Sequence, residues 1–388
     1  MAERSLARTQ RYDTGDDRLA AHGHRLERVA TPTGRSSCWR ITLGHPDGAH
    51  EPFEFAAAPS HESAAVPSVL RELFAGVTVG RALVPRDHDP VVAGGGVDPL
   101  PADASIGRLA RFVACRAVHT LTVLDPHLRL DAVEHDVHLA RVAARRLRSE
   151  VEVMHDVLRP KRASRLASEL ARLGTLFGDV RDLDVLMLSL ERAADPAAPG
   201  TRELRIRMRN ERRVAALVLR NALCSPRHLT LLEELAAFAA TGWSADGSRP
   251  GRRARRTTIE MLEHADRRLD RRVAALSDPP LEAELHDVRK AAKRLRYVAE
   301  LAEPMAESRS LGRAARSLQD VLGGLQDAVS AHEWIDRPHR PPLDAHERLA
   351  AIAIADAADA ARRRALDTWP VAWVRTHGAA LRPWRPPT

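Results

Sequence analysis

Aromatic side chains are scarce in this 388-residue chain: two Tyr, six Phe and six Trp amount to 4%. So few aromatic faces argue against a protein that reads nucleic-acid bases by stacking. Lysine is scarcer still, with Lys161, Lys290 and Lys293 the only three among 60 cationic residues. Cysteine is limited to Cys38, Cys115 and Cys224, widely spaced and without a Cys-x-x-Cys, which excludes a disulfide framework and a thiolate zinc site and fits a reducing compartment. No run of about 18 apolar residues occurs, and the first residues carry Glu3, Arg4 and Arg8 without an apolar core. We therefore expect a cytoplasmic protein with no membrane span. No Gly-x-Gly-x-x-Gly, P-loop or Gly-x-Ser-x-Gly pattern is present, so neither a catalytic residue nor a cofactor is expected.

What is present is apolar content of 44%, ample for a buried core, and a formal net charge of +8. The charge is uneven. Residues 1–100 hold 11 Arg against 13 carboxylates, whereas the rest hold 49 Lys and Arg against 39. Basic character belongs to the larger, carboxyl-terminal part.

That part contains an internal repeat. His138-Leu-Ala-Arg141-Val-Ala-Ala-Arg145-Arg146-Leu147-Arg148 returns 148 residues later as His286-Asp-Val-Arg289-Lys290-Ala-Ala-Lys293-Arg294-Leu295-Arg296. On a helix at about 100° per residue, His138, Arg141, Arg145 and Arg148 fall within roughly 80°, and Ala140, Ala143, Leu147 and Val151 fall opposite. His286, Arg289, Lys293 and Arg296 do the same, with Lys290 beside them. Each helix thus carries a cationic stripe about 15 Å long. Neither stripe contains a carboxylate of its own, so the repulsion calls for a long, highly charged anion; the competing reading is two solvated helix faces. A second motif repeats in the same order at an offset of 145, Leu173-Gly-Thr-Leu-Phe177-Gly178-Asp179-Val180-Arg181-Asp182 against Leu318-Gln-Asp-Val-Leu322-Gly323-Gly324-Leu325-Gln326-Asp327. Its Gly and acidic residues suggest a turn that kinks or caps a helix.

Two such motifs, in this order and twice over, resemble the CHAD domain, the conserved histidine α-helical domain, over about residues 104–388. The resemblance implies a mainly α fold of two pseudo-symmetric helical bundles, each a copy of a four-helix unit, with halves near 104–243 and 251–388. It also implies a basic groove for inorganic polyphosphate, lined by His138, Arg141, Arg145, Arg148, His286, Arg289, Lys290, Lys293 and Arg296.

Residues 1–90 read as a small α+β segment. Arg25–Ala30, Ser37–Leu43 and Glu51–Ala57 alternate like strands, with a short helix over Val66–Gly76. Tyr12-Asp13-Thr14, Leu19, Gly23, Leu26, Arg28, Trp39-Arg40-Ile41-Thr42-Leu43 and Arg81-Ala-Leu83-Val-Pro85 resemble a degenerate piece of the CYTH domain, the fold of the triphosphate tunnel metalloenzymes. That family's metal-holding Glu-x-Glu-x-Lys strand has no counterpart here, Thr42 stands where a phosphate-binding lysine is usual, and later acidic strands are missing. A catalytic metal therefore lacks obvious ligands.

Residues 91–103 form a Gly/Pro-rich linker. A first helix is expected to start near Ala102 to Ser105, capped by Asp103 or Ser105, and to run to about Leu124, ended by Asp125-Pro126, then the stripe helix Asp131–Leu158 stopped at Pro160, and Lys161–Leu190 with the Gly178 turn. Arg202–Leu223 puts Arg202, Arg205, Arg209, Arg213 and Arg220 on one face, an additional candidate phosphate surface, and Leu229–Ala240 reads as core. After a loop at Ser244–Gly251 come Arg252–Leu276, the stripe helix Leu281–Leu301 ended near Pro304, Leu311–Trp334 and Leu349–Leu366. Trp369, Trp373 and Trp384 read as packing anchors. His135 and His138 are i and i+3 with no third ligand nearby, so we read them as surface histidines and expect no metal site.

The function expected is non-catalytic polyphosphate binding, with the protein associated with polyphosphate granules. Two alternatives stay open. One is a metal-dependent triphosphatase or polyphosphate hydrolase acting through the amino-terminal segment; the other is non-specific nucleic-acid binding at low salt. Oligomeric state is not legible.

Overall fold

The computed structural model describes residues 9–30, 37–56, 65–86, 100–101, 104–198, 200–243, 254–338, 341–378 and 381–384. Glu3, most of the 91–103 linker with the Asp103 cap, and the 244–251 loop lie outside the described residues.

Five strands make one antiparallel sheet in the order β4-β3-β2-β1-β5, with β1 Thr9–Asp13, β2 Arg25–Ala30, β3 Ser37–Gly44, β4 His50–Ala56 and β5 Val84–Arg86. The three expected alternating segments, now β2, β3 and β4, fall where period-2 patterning put them; β1 and β5 were not expected. Register sets Tyr12 opposite Leu26 and Leu26 opposite Ile41. One face therefore carries Tyr12, Leu26, Trp39, Ile41 and Leu43, all buried against Leu70, Leu73, Phe74 and Val77 of α2 (Ser68–Leu73) and α3 (Ala75–Thr78). The Asp13 carboxylate accepts from the amides of Thr14, Leu19 and Ala20 at 2.7, 2.8 and 3.1 Å, tying β1 to the short helix α1 (Arg18–Ala21).

The rest is helical: α4 Ile106–Leu130, α5 Glu134–Val153, α6 Pro160–Ala193, α7 Thr201–Leu223, α8 Pro226–Thr241, α9 Ala254–Ala274, α10 Glu282–Ala306, α11 Arg309–Val321, α12 Gly323–Asp336 and α13 Ala345–Val374. A mainly α chain with an amino-terminal α+β segment is what the family resemblance and the patterning of residues 1–90 led us to expect. Ser105 accepts from the Arg108 amide at 3.3 Å, as a cap should. Asp344 and Glu347 cap α13 reciprocally, each side chain accepting from the other's backbone amide at 2.8 and 2.9 Å.

Several boundaries need correction. α4 runs through Pro126 to Leu130, because Asp125 and Arg129 pair at 2.6 Å across the proline and hold that turn together. Pro304 likewise lies inside α10, whose apolar Met305 and Ala306 are still buried. α5 ends at Val153, five residues before the expected Leu158. The Gly178 segment makes no turn: α6 is continuous for 34 residues and buries Gly178 between Phe177 and Val180. Its counterpart does break, since Leu322 separates α11 from α12.

The chain divides into two compact units. The first comprises Met1–Asp98, Ala114–Ala144 and Ala216–Thr241, and the second Pro99–Val113, Arg145–Ala215 and Gly242–Thr388. Within the second, Leu262, Leu269, Leu285, Val288, Leu295, Leu311, Leu318 and Ala365 form one core, against which Trp369, Trp373 and Trp384 pack as the anchors they were read to be. Another core joins Leu186 and Leu190 of α6 to Met208 of α7, Trp334 of α12 and Ile354 of α13. Among the described residues no helix is long and apolar enough to cross a membrane.

Gly200, which leads into α7, has φ +85°, and a Cβ there would lie 2.1 Å from the His346 carbonyl carbon. Gly200→Ala meets both the left-handed backbone and a rigid neighbour, so we expect a loss of about 2 kcal/mol or more in urea denaturation. An unchanged midpoint would show that the α7 and α13 starts are free to separate.

Candidate functional site

The two stripe helices show the apolar backs that the repeat requires. Val137, Ala140, Ala144, Leu147 and Val151 are buried on α5, and Leu285, Val288, Ala292, Leu295 and Val298 on α10. Ala144 rather than Ala143 completes the first back. On the stripes themselves Arg141, Arg145, His286, Arg289, Lys293 and Arg296 are partly buried, while His138, Arg148 and Lys290 are exposed.

Four of the nine stripe residues come together around one cavity of about 350 Å³ in the second unit: Arg145 and Arg148 from α5, Lys290 and Lys293 from α10. The lining is completed by Arg268 and Arg272 of α9 and Arg294 of α10, none of which was picked out from sequence. Their signal was present: Arg268 and Arg272 are four apart in Arg-Arg-Leu-Asp-Arg-Arg and so share a helix face.

The expectation that the stripes lack carboxylates is corrected. Glu152, one turn beyond the motif, pairs with Arg148 at 2.8 Å, and Asp287, inside it, pairs with Lys290 at 3.2 Å and Arg272 at 3.4 Å. Arg296 pairs with Glu300 at 3.4 Å, a carboxylate shared with Arg146 and Arg316 at 3.0 Å each. The imbalance in the cavity nonetheless stands, because among the described residues seven cationic side chains line it, with only Glu152 and Asp287 to oppose them. Arg145 Nε is buried without a hydrogen-bond partner among the described residues.

Lys293 records the resulting field. Burial pushes its ammonium down first, and the neighbouring Arg145, Arg289, Arg296 and Arg148 push it further, to about 7. Burial also lowers the His286 imidazole, helped by Lys290 and Arg289 and opposed by Asp287 and by a hydrogen bond with Gln326. That contact brings the second repeated motif to the stripe on α10. Arg294, too, is lowered by burial and by Arg268.

A second cavity in the same unit has the opposite character. Asp179, Asp182, Glu211 and Glu333 line it with a single cation among the described residues, Arg337. The acidic residues of the Gly178 segment therefore face away from polyanion chemistry. On α7, Arg202, Arg209, Arg213 and Arg220 are exposed and Arg205 is partly so. The inward arginines of that helix are others: Arg207 binds Glu347 at 2.9 Å and the Pro341 carbonyl at 2.8 Å, and Arg212 binds Asp184 at 2.5 Å.

Comparison with known proteins places this geometry. The family model described as the CHAD domain matches residues 113–336, more than half of the chain. The chain belongs to the CHAD family. The match spans both stripe helices and both copies of the second motif. Two curated Mycobacterium tuberculosis relatives, uncharacterized proteins MT2285 and Rv2226, are each 29% identical over 228 residues, which is 56% of this chain and 43% of theirs. The chain thus matches less than half the length of those relatives. Among solved structures, the CHAD domain from the plant Ricinus communis aligns with a TM-score of 0.56 at 24% identity, covering 75% of this chain and 97% of that one. PptA from Streptomyces chartreusis aligns with a TM-score of 0.51 at 18% identity, covering 71% and 100%. The likeness to the Ricinus communis domain shows the CHAD fold.

Proposed function

We propose that this chain is a non-catalytic module that binds inorganic polyphosphate through the cavity between α5 and α10. The observation that carries the reading is the seven-to-two excess of cations in one partly buried cavity. Its lining is arginine-rich, and the fork of a guanidinium matches two phosphate oxygens at once. The stripe residues outside that lining, His138, Arg141, His286, Arg289 and Arg296, are assigned to the same polymer through the family resemblance. We read the amino-terminal segment as a degenerate CYTH segment without catalysis; the Asp13 carboxylate there is committed to three backbone amides and to Arg11 at 3.1 Å. In a cell such a module would gather where polyphosphate accumulates, in cytoplasmic granules.

The test is a titration with long-chain polyphosphate over a range of salt, with duplex DNA as competitor. Counterion release predicts a log–log salt slope of several units, roughly 0.7 to 0.9 per phosphate contacted. Polyphosphate should displace DNA at far lower charge concentration than the reverse. Equal displacement would mean a general polyanion surface, and release of orthophosphate from purified protein would make it an enzyme.

Lys293 gives the reading a pH signature. Bound phosphates favour the ammonium, so a lysine held near 7 in the empty cavity takes up a proton on binding at higher pH. Near pH 8 about one proton should enter per complex, measured from binding heats in buffers of different ionisation enthalpy, and affinity should rise as pH falls towards 7. Lys293→Arg should bind with almost no such uptake. The same linkage acts on the empty protein: a lysine whose folded value is depressed penalises the fold below that value, so stability should climb as pH rises past about 7.

A further inference from the structure

His135, read from sequence as a surface histidine, stands in the first unit beside two residues some ninety positions earlier. His45 and Asp47 belong to the turn between β3 and β4, and one ligand atom from each of His45, Asp47 and His135 lies within 4.8 Å of the others. The His45 and His135 rings stack at an angle of 28° with centroids 5.6 Å apart. His45 Nδ1 is 2.7 Å from the Asp47 carboxylate, and its Nε2 is 3.1 Å from Oδ1 of Asp136. Asp136 is buried, and its other oxygen lies 3.7 Å from His127 Nδ1, while His127 Nε2 is held by the Gly44 carbonyl at 3.0 Å.

We propose that His45 Nδ1, Asp47 and a ring nitrogen of His135 form a binding site for a divalent transition-metal ion, zinc by class. Two imidazoles and one carboxylate are a borderline-soft ligand set that suits zinc and not magnesium or calcium, which take oxygen ligands. Tetrahedral zinc with bonds near 2.1 Å spaces its donors by about 3.4 Å, so the three atoms need only modest adjustment. Support comes from the shell behind them. A metal-bound imidazole almost always gives its remaining N–H to a carboxylate, which fixes ring and tautomer, and buried Asp136 occupies that position on His45. The turn's own hydrogen bond, Asp47 Oδ1 accepting from the Ala49 amide at 2.9 Å, holds the third ligand. Because Asp47 and His135 are both exposed, the ion has access and a fourth position open to water. Bound there, it would fasten the β3–β4 turn to the first turn of α5. The competing occupant is a proton, with a charged His45 bridging Asp47 and Asp136 and no metal at all.

The experiment is a zinc titration of the full chain freed of metal by chelator, with a chromogenic chelator as competitor and cobalt(II) as a spectroscopic substitute. One equivalent should bind, cobalt should give the visible band of a four-coordinate site, and Asp47→Ala and His135→Ala should each weaken zinc by about 10-fold to 100-fold. Both positions are exposed, so folding should survive and circular dichroism checks it. His155→Ala, a partly exposed histidine elsewhere, should bind zinc as the parent does. No saturable equivalent, or affinity unchanged in both ligand variants, would overturn the site and leave the proton-bridged pair.

Discussion

Arg145→Glu combined with Lys293→Glu is expected to abolish polyphosphate binding, a loss of more than about a hundredfold in affinity at physiological salt. The two residues come from different copies of the repeat and face each other across one cavity. Reversing both turns seven cations against two carboxylates into five against four. The fold should not suffer, since neither side chain makes an ion pair among the described residues, and Lys293 is already driven towards its neutral form by burial and by the arginines around it. Melting temperature should hold or rise. A control with the same change in net charge uses exposed arginines outside the cavity, Arg256→Glu with Arg309→Glu, and long-range screening limits its effect to about threefold. Binding by titration calorimetry decides it. If the cavity variant binds as the parent does, the stripes are solvated faces and the fold persists without this ligand.

The pairing behind that prediction was half legible in the sequence. Helical spacing of apolar residues on α5 and α10 fixed which way each stripe points, because a helix with Leu147 or Leu295 in the core has its arginines outside. The repeat, with Lys293 standing where the first copy has Arg145, then suggested that the two serve one ligand. What periodicity could not supply is the company these residues keep. Arg268 and Arg272 come from α9, and no local pattern says which face of α9 meets α10. Glu152 and Asp287 were misjudged because charge balance was counted along the stripe and not around it. The prolines failed as stop signals for a similar reason: Pro126 removes one helical hydrogen bond, a local cost, and the buried Asp125–Arg129 pair that spans it is fixed by partners far along the chain. His45 and Asp47 lay outside any sequence window around His135. Contacts across ninety residues are tertiary facts, and they hold both the proposed metal set and the most sensitive point of the first unit.

That point is Asp125. Its side chain is 1% exposed and accepts from Arg129 Nε at 2.6 Å and from His228 Nε2 at 3.0 Å. Arg129, itself buried, donates onward to the carbonyls of Leu223 at 2.6 Å and Glu72 at 3.2 Å, so one carboxylate organises the junction of α4, α7, α8 and α2. Asp125→Ala would leave that guanidinium buried with two backbone carbonyls and the Cys224 sulfur but no carboxylate, and breaking a buried pair from one side costs about 3–5 kcal/mol. Burial pushes the Asp125 carboxyl up, but His228 and Arg129 outweigh it and hold it below its ordinary value. The sign of the pH effect follows: the pair stabilises the fold above the unfolded carboxyl value near 4 and is lost as pH falls through the lower folded one. Hydrogen exchange in α4 and α8 should accelerate in Asp125→Ala at neutral pH, while the parent shows the same change only in acid. Gly76 supplies a check on the geometry. A Cβ there would sit 2.1 Å from Oδ2 of Asp125, so Gly76→Ala alone must displace the carboxylate or the helix that carries it. In the Asp125→Ala background the same substitution meets no carboxylate and should cost far less. Strictly additive losses in that double-mutant cycle would mean that Gly76 and Asp125 do not touch, and that the pair is not what closes the junction.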